Sequence, residues 1–279
     1  MPAEDIISSL KDRVLVMGIL NVTPDSFSDG GLFFDTDKAV AHALAMVRDG
    51  ADIIDIGGES TRPGAEDITA DEECARIIPA IKRIASAAAV PISVDTRKSV
   101  VAEEAIRAGA SIVNDVSGLH YDGALASAAA RHGSALILMN MKGTPRDMQA
   151  DPRYGDVVKD VIGSLRASVS IAKRAGVRDD RIIVDPGIGF GKTLQHNLEL
   201  LNRLDEFKVL GLPVCVGTSR KSFIGKALDI PDPGDRLAGT IATCVIAVMK
   251  GARVLRVHDV RQAAEAARIS GMIIGMKAD

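Results

Sequence analysis

Charged and amide side chains stand at the ends of apolar runs along this chain, and their types divide into two sets. Arg62, Lys221, Arg256 and His258 supply cations, whereas Asp95, Asn114 and Asp185 supply acceptors. Arg256 and His258 close the run Val254–His258 two residues apart, so in a strand they share a face and both can reach one anion. An arginine fork suits phosphate oxygens, and carboxylates suit a neutral ring rich in N–H donors. A small molecule with a diphosphate at one end and a donor-rich heterocycle at the other meets both sets. Polar residues at strand ends also cap following helices, but several of these side chains are too long for that.

Other chemistries lack their residues. In Gly187-Ile188-Gly189-Phe190-Gly191-Lys192-Thr193, Pro186 stands where a Walker loop needs glycine, and Lys192 where the dinucleotide fingerprint needs one. Asp185-Pro186-Gly187 reads instead as an acid at a strand end, followed by a loop whose backbone can approach a flat ligand. No two histidines have metal-ligand spacing, so a protein-caged zinc site is not expected. Mg²⁺ carried on substrate phosphates stays compatible, because it usually keeps several waters. No G-x-S-x-G elbow is present. His42, His120, His132 and His196 have no evident partner and read as ordinary residues.

The elements that must position these groups alternate from end to end. Strands are expected at Val14–Leu20, Asp52–Ile56, Pro91–Asp95, Ser111–Asn114, Ala135–Met139, Arg181–Asp185, Leu212–Val216 and Val254–His258. These are near-continuous apolar runs, the mark of strands buried on both faces. Helical spacing marks Lys38–Arg48, Asp71–Ala85, Ser99–Ala108, Asp156–Ala175 and Asp235–Met249. Gly50, Gly109, Gly133, Gly176 and Gly251 each stand where a helix must stop before the next strand. Eight strand–helix units predict an α/β chain folded as a (β/α)8 TIM barrel, with a doubly wound open sheet as the rival. No linker or low-complexity stretch divides residues 1–279, so one domain is expected, with 1–13 as an N-terminal extension. In a barrel every strand end named above, including Asn21 after the first strand and Ser219-Arg220-Lys221 after the seventh, opens on one face.

Bulk properties narrow the partners. With 279 residues, a formal net charge of -3 and 3% aromatics without Trp, the chain has no field for nucleic acid and no stacking platform. The longest uncharged run, Leu237 to Met249, is too short to span a membrane. MPAEDIISSLKDR lacks the apolar core of a secretory signal. Cys74, Cys215 and Cys244 are scattered, odd in number and in no C-x-x-C spacing. They read as buried hydrophobes in a reducing cytoplasm.

Two long segments, Met17-Gly18-Ile19-Leu20-Asn21-Val22-Thr23-Pro24-Asp25-Ser26-Phe27-Ser28-Asp29-Gly30-Gly31 and Gly50 through Gly64 with its Gly57-Gly58-Glu59-Ser60-Thr61-Arg62-Pro63-Gly64, resemble the two signatures of the dihydropteroate synthase family. Val94-Asp95-Thr96, Asn114-Asp115, Asp185-Pro186-Gly187, Gly217 through Ser222 and Arg256-Val257-His258 match in the same order. The resemblance spans about residues 14 to 270. It implies a pterin-binding barrel that joins p-aminobenzoate to 6-hydroxymethyl-7,8-dihydropterin diphosphate, releasing dihydropteroate and diphosphate. Carried over residue by residue, Asp95, Asn114, Asp185 and Lys221 hold the pterin. Asn21 binds Mg²⁺, and Thr61, Arg62, Arg256 and His258 contact the diphosphate. Phe27, Thr61, Pro63, Phe190, Lys221 and Ser222 frame the p-aminobenzoate pocket, where sulfonamides bind in the family. A homodimer is implied as well.

Charge dictates the mechanism this resemblance implies. Diphosphate leaves once Mg²⁺, Arg and His offset its developing charge, the electron-rich dihydropterin stabilises the methylene cation, and the aniline amine attacks. Residues from Thr23 to Asp29 look like a lid over the diphosphate, with Asp29 facing either the pterin cation or the metal. Asn140-Met141-Lys142-Gly143 departs from the family's usual His-Met-x-Gly, which removes any cationic role at that position. The rival functions are a corrinoid-linked methyltransferase of the same barrel family and a non-catalytic pterin-binding paralogue. The second would be expected to lack Asn21, Arg62, Lys221 or His258, and all four are present.

Overall fold

Each apolar run becomes a parallel strand. In the computed structural model, which describes residues 8–23, 36–61, 64–150 and 152–277, the strands are β1 (Leu15–Asn21), β2 (Ile53–Gly57), β3 (Ile92–Asp95), β4 (Ile112–Asp115), β5 (Ala135–Met139), β6 (Ile182–Asp185), β7 (Val214–Val216) and β8 (Ala252–Val257). They pair in chain order, and β8 returns to β1 through Leu15↔Val254 and Met17↔Arg256. That last pairing closes a barrel and excludes the open sheet. Strand limits fall within one or two residues of expectation. His258 is the exception with a consequence: β8 ends at Val257, so His258 belongs to the loop.

The helices are α1 (Thr36–Arg48), α2 (Ala70–Ala87), α3 (Ser99–Ala108), α4 (Ala124–His132), α5 (Val157–Arg174), α6 (Leu194–Asn202), α7 (Ser222–Leu228), α8 (Leu237–Met249) and α9 (Val260–Ile273). Their starts are written locally. Thr69 accepts from Glu72 N–H at 3.2 Å, and Asp156 accepts from Val158 and Lys159 N–H at 3.0 and 3.1 Å, satisfying donors that the first helical turn leaves open. The five expected stop glycines all have positive φ, from +64° at Gly133 to +123° at Gly109. At Gly109 a Cβ would also meet the Ala85 Cβ at 2.8 Å. The expected helix from Asp235 starts later: Pro233–Arg236 forms a 3-10 turn, and α8 begins at Leu237. His196 is not without a partner. It closes a capping box with Thr193 and meets the Tyr154 ring edge-on at 5.0 Å.

Strand alternation separates two cores. Val16, Leu20, Ile54, Ile56, Val94, Leu136 and Val184 pack outward under the helices, whereas Leu15, Met17, Ile53, Ile112, Ile137, Ile183, Cys215 and Val254 fill the barrel. The next inward positions toward the strand C-termini are polar: Asp55, Asp95, Asn114, Asp185 and Arg256. An apolar plug thus supports a charged floor at the end of the barrel where catalysis sits in this architecture.

Candidate active site

Arg256 is the centre of that floor. Its Nε donates to Asp55 Oδ2 and one terminal nitrogen donates to Asp95 Oδ2, both at 2.6 Å. Asn114 Nδ2 donates to the same Asp55 oxygen at 3.2 Å. Asp55 is fully buried, and its Oδ1 has no hydrogen-bond partner among the described residues. Burial pushes the Asp95 carboxyl up to about 7 even though the adjacent guanidinium opposes this. Burial also works against the Arg256 charge, but Asp55 and Asp95 outweigh it and hold the guanidinium protonated. His258 lies in the loop beyond β8, so it does not share a strand face with Arg256 as the two-residue spacing implied. Arg256 turns its fork inward onto two carboxylates, because a desolvated guanidinium gains most from close bidentate partners.

Lys221 and Asp185 form the opposite wall. Asp185 Oδ1 accepts from Gly187 N–H at 2.7 Å, and burial raises its pKa although the Lys221 charge opposes the shift. Lys221 Nζ donates to the Ile188 carbonyl and lies 4.6 Å above the Phe190 ring. Burial pulls its pKa down to about 8, with Asp185 opposing. The predicted cationic cluster is thus largely internally compensated, with Lys221 facing Asp185 and Arg256 facing Asp55 and Asp95.

The glycine loop after β6 makes a close backbone approach to the loop after β5. A Cβ at Gly187 would overlap the Asn140 carbonyl oxygen, and one at Gly191 would meet the Lys142 carbonyl at 2.5 Å. Gly187, Gly189 and Gly191 have φ of +67°, +86° and +62°. The backbone is pressed against the loop after β5.

The rim carries the remaining candidates. His258 Nδ1 and Ser219 Oγ are 3.0 Å apart, and the His258 N–H donates to the same hydroxyl at 3.1 Å. Lys221 stands at the N-cap of α7, with Ser222 exposed beside it. Thr61 follows β2, half-buried. Asn21 ends β1 half-buried, and its side chain has no hydrogen-bond partner among the described residues. Phe27, Asp29, Arg62 and Pro63, together with most of the expected lid, lie outside the described residues.

Sequence reasoning missed Asp55, although a carboxylate inside Ile53-Ile54-Asp55-Ile56 breaks an otherwise apolar run and buried acids need partners. It also missed Glu59. That carboxylate accepts from Arg97 Nε at 3.0 Å, Lys98 Nζ at 2.8 Å and Ile68 N–H at 3.0 Å, and Lys98 is shared with buried Glu73 at 2.6 Å. Lys98 and Arg97 hold the Glu59 carboxyl below its usual range although burial opposes them. This network anchors the segment carrying Thr61 to the loop after β3.

A closed parallel barrel whose strand ends gather buried carboxylates, an amide and two cations defines an enzyme for a small donor-rich ring. The pterin binding enzyme family matches residues 17–258. The chain is 52% identical to the dihydropteroate synthase of Bacillus subtilis over 94% of its own length and 89% of that protein. The structure of Xanthomonas albilineans dihydropteroate synthase with 4-aminobenzoic acid matches it with a TM-score of 0.89 at 42% identity, covering 95% of each chain. That of Yersinia pestis dihydropteroate synthase in complex with a sulfonamide drug matches with a TM-score of 0.89 at 44% identity, again over 95% of each chain. The chain belongs to the dihydropteroate synthase family.

Proposed function

We propose that the chain is a dihydropteroate synthase, a transferase that condenses 6-hydroxymethyl-7,8-dihydropterin diphosphate with p-aminobenzoate. The observation that carries this reading is the floor of Asp55, Asp95, Asn114 and Asp185, set with Arg256 and Lys221 at the strand C-termini of a chain in this family. Asp95, Asn114 and Asp185 accept the N–H groups of the pterin, and Lys221 reaches the same ring. Arg256 bounds it from β8. Thr61 and His258 at the rim contact the diphosphate together with Arg256 from the floor, whereas Arg62, assigned the same role, lies outside the described residues. Phe190, Ser222 and Lys221 border the p-aminobenzoate. The methylene–oxygen bond breaks with its electron pair leaving on diphosphate. The aniline nitrogen then forms the new bond to the methylene and releases its proton to water. Asp95 and Asp185 stabilise the cationic ring between these events, and no covalent enzyme intermediate is needed.

Mg²⁺ belongs to the same reading. Among the described residues no cluster of three or more His, Cys, Asp or Glu could hold a metal. The Asn21 carboxamide supplies a hard oxygen at the rim, which fits a cation that shares its ligands with substrate phosphates. Bound there, Mg²⁺ would offset charge on the leaving diphosphate. The methyltransferase and the non-catalytic paralogue are not favoured, because the chain matches synthases over most of its length and keeps Asn21, Lys221 and His258 at the mouth. A cytoplasmic setting is supported by Cys74, Cys215 and Cys244, which are all free thiols.

Purified protein supplied with both substrates and Mg²⁺ is expected to release diphosphate in step with dihydropteroate, and a sulfonamide should raise the apparent KM for p-aminobenzoate. Formation of no dihydropteroate with both substrates and Mg²⁺ present sinks the assignment. A homodimer is proposed on α8, which has no charged residue and exposes Ala242, Ile246 and Met249 along one side. Sedimentation should give twice the chain mass, and Ile246→Glu should shift it toward monomer. Wild-type protein sedimenting as a monomer at micromolar concentration overturns this.

A further inference from the structure

The residue that departs from the family pattern, Asn140, faces a buried amine. Lys192 is only 3% exposed. Its Nζ lies 2.9 Å from Asn140 Oδ1, 3.0 Å from the Phe190 carbonyl and 3.4 Å from the Asn140 carbonyl. Three neutral oxygens thus meet three N–H groups, and Lys192 forms no salt bridge among the described residues. Burying an ammonium this way is unfavourable unless its donors are fully used.

Those donors hold one segment. Gly189, Phe190 and Gly191 each present a backbone carbonyl to a side chain: Gln149 Nε2 donates to the first at 2.8 Å, Lys192 to the second and the Tyr154 hydroxyl to the third at 3.0 Å. Gln149, Tyr154 and Asn140 all come from the loop after β5. The middle carbonyl belongs to the residue whose ring sits under Lys221. With φ positive at Gly187, Gly189 and Gly191, the loop does not hold this shape by backbone preference alone.

We propose that Lys192, seated on Asn140, is a positioning residue that fixes the Phe190 ring against Lys221 and thereby sets the affinity for p-aminobenzoate. This rests on the synthase reading above. Asn140 suits the role because its amide oxygen accepts from the amine in either charge state and never adds a second positive charge beside it. Burial pulls the Lys192 pKa down to about 7, and the neutral amine still keeps two N–H groups for the same carbonyls.

The test is steady-state kinetics with both substrates varied. Lys192→Met should raise the KM for p-aminobenzoate about tenfold or more while changing kcat and the KM for the pterin diphosphate by less than about threefold. Asn140→Asp keeps the acceptor and should stay within about threefold of wild type in all three. A folded Lys192→Met with unchanged KM for p-aminobenzoate overturns the proposal, as does an equal loss in both KM values. If Lys192→Met does not fold, Asn140→Ala removes one acceptor and should show the same selective rise at about five- to tenfold; an unselective loss, or no rise beyond about threefold, overturns it. Hydrogen exchange of residues 186–193 is read in parallel and needs no turnover. It should quicken in the variant while β6 stays protected, and unchanged exchange counts against the clamp. Wild-type protein without turnover would overturn the synthase reading and leave that exchange result standing.

Discussion

Replacing Arg256 with alanine is expected to cost about 3–5 kcal/mol of stability and to abolish turnover. The reason is the company the guanidinium keeps. Asp55 is fully buried, Asp95 is 9% exposed, and each gives an oxygen to Arg256 at 2.6 Å. Truncation leaves both carboxylates desolvated without their cation, and Asn114 Nδ2 is too weak a substitute at 3.2 Å. Arg256→Lys should recover only part of the loss, because a single ammonium replaces the separate Nε and terminal nitrogen that reach Asp55 and Asp95. Urea unfolding of both variants checks this, and a midpoint shift worth less than about 1 kcal/mol for the alanine form refutes it. Should that variant fail to fold, Asp55→Asn keeps the shape and removes one charge. It should destabilise by a smaller margin while still lowering kcat/KM for the pterin diphosphate.

That floor also shows what the sequence could and could not tell. The strand ends and the five stop glycines were legible because each rests on local physics: a buried run, then a residue that tolerates positive φ. Asp95, Asn114, Asp185 and Lys221 were legible for the same reason, since polar groups after buried strands of a barrel converge on one face. The pairing inside the floor was not. Arg256 and Asp55 are 201 residues apart, and only the closure of β8 on β1 beside β2 brings them together. A near-continuous apolar run hides which of its residues face the barrel axis, so Asp55 went unread within its strand. The glycine loop was legible only in part. Its composition announced a close backbone approach, but the partner is the Asn140 and Lys142 backbone of the neighbouring loop, and nothing local names a neighbour. The Glu59 network with Arg97 and Lys98 likewise joins two loops that only the fold makes adjacent.

Lys221→Ala is expected to lower kcat/KM for the pterin diphosphate about 10- to 100-fold, and its pH dependence distinguishes it from Arg256→Ala. Arg256 stays charged through any practical range, held by two carboxylates. Lys221 is pulled down to about 8 by burial, and Asp95 is pushed up to about 7. Asp95 is the stronger acceptor for a ring N–H as the carboxylate, hence above about 7, and Lys221 offers a cation only below about 8. The wild-type kcat/KM profile should therefore be a narrow bell with its top between those values. Asp95→Asn should flatten the acid limb, and Lys221→Ala should flatten the basic one. The stability effect has the opposite sign from that of Arg256. The Lys221 pKa is lower folded than its ordinary 10.5, so between about 8 and 10.5 the unfolded chain binds the extra proton and wild-type stability rises with pH. Below that window the buried charge opposes folding, so Lys221→Ala should be neutral or stabilising at pH 7 and should lack the rise. A Lys221→Ala enzyme that keeps the basic limb, or that unfolds as readily as Arg256→Ala, would remove Lys221 from the pterin wall.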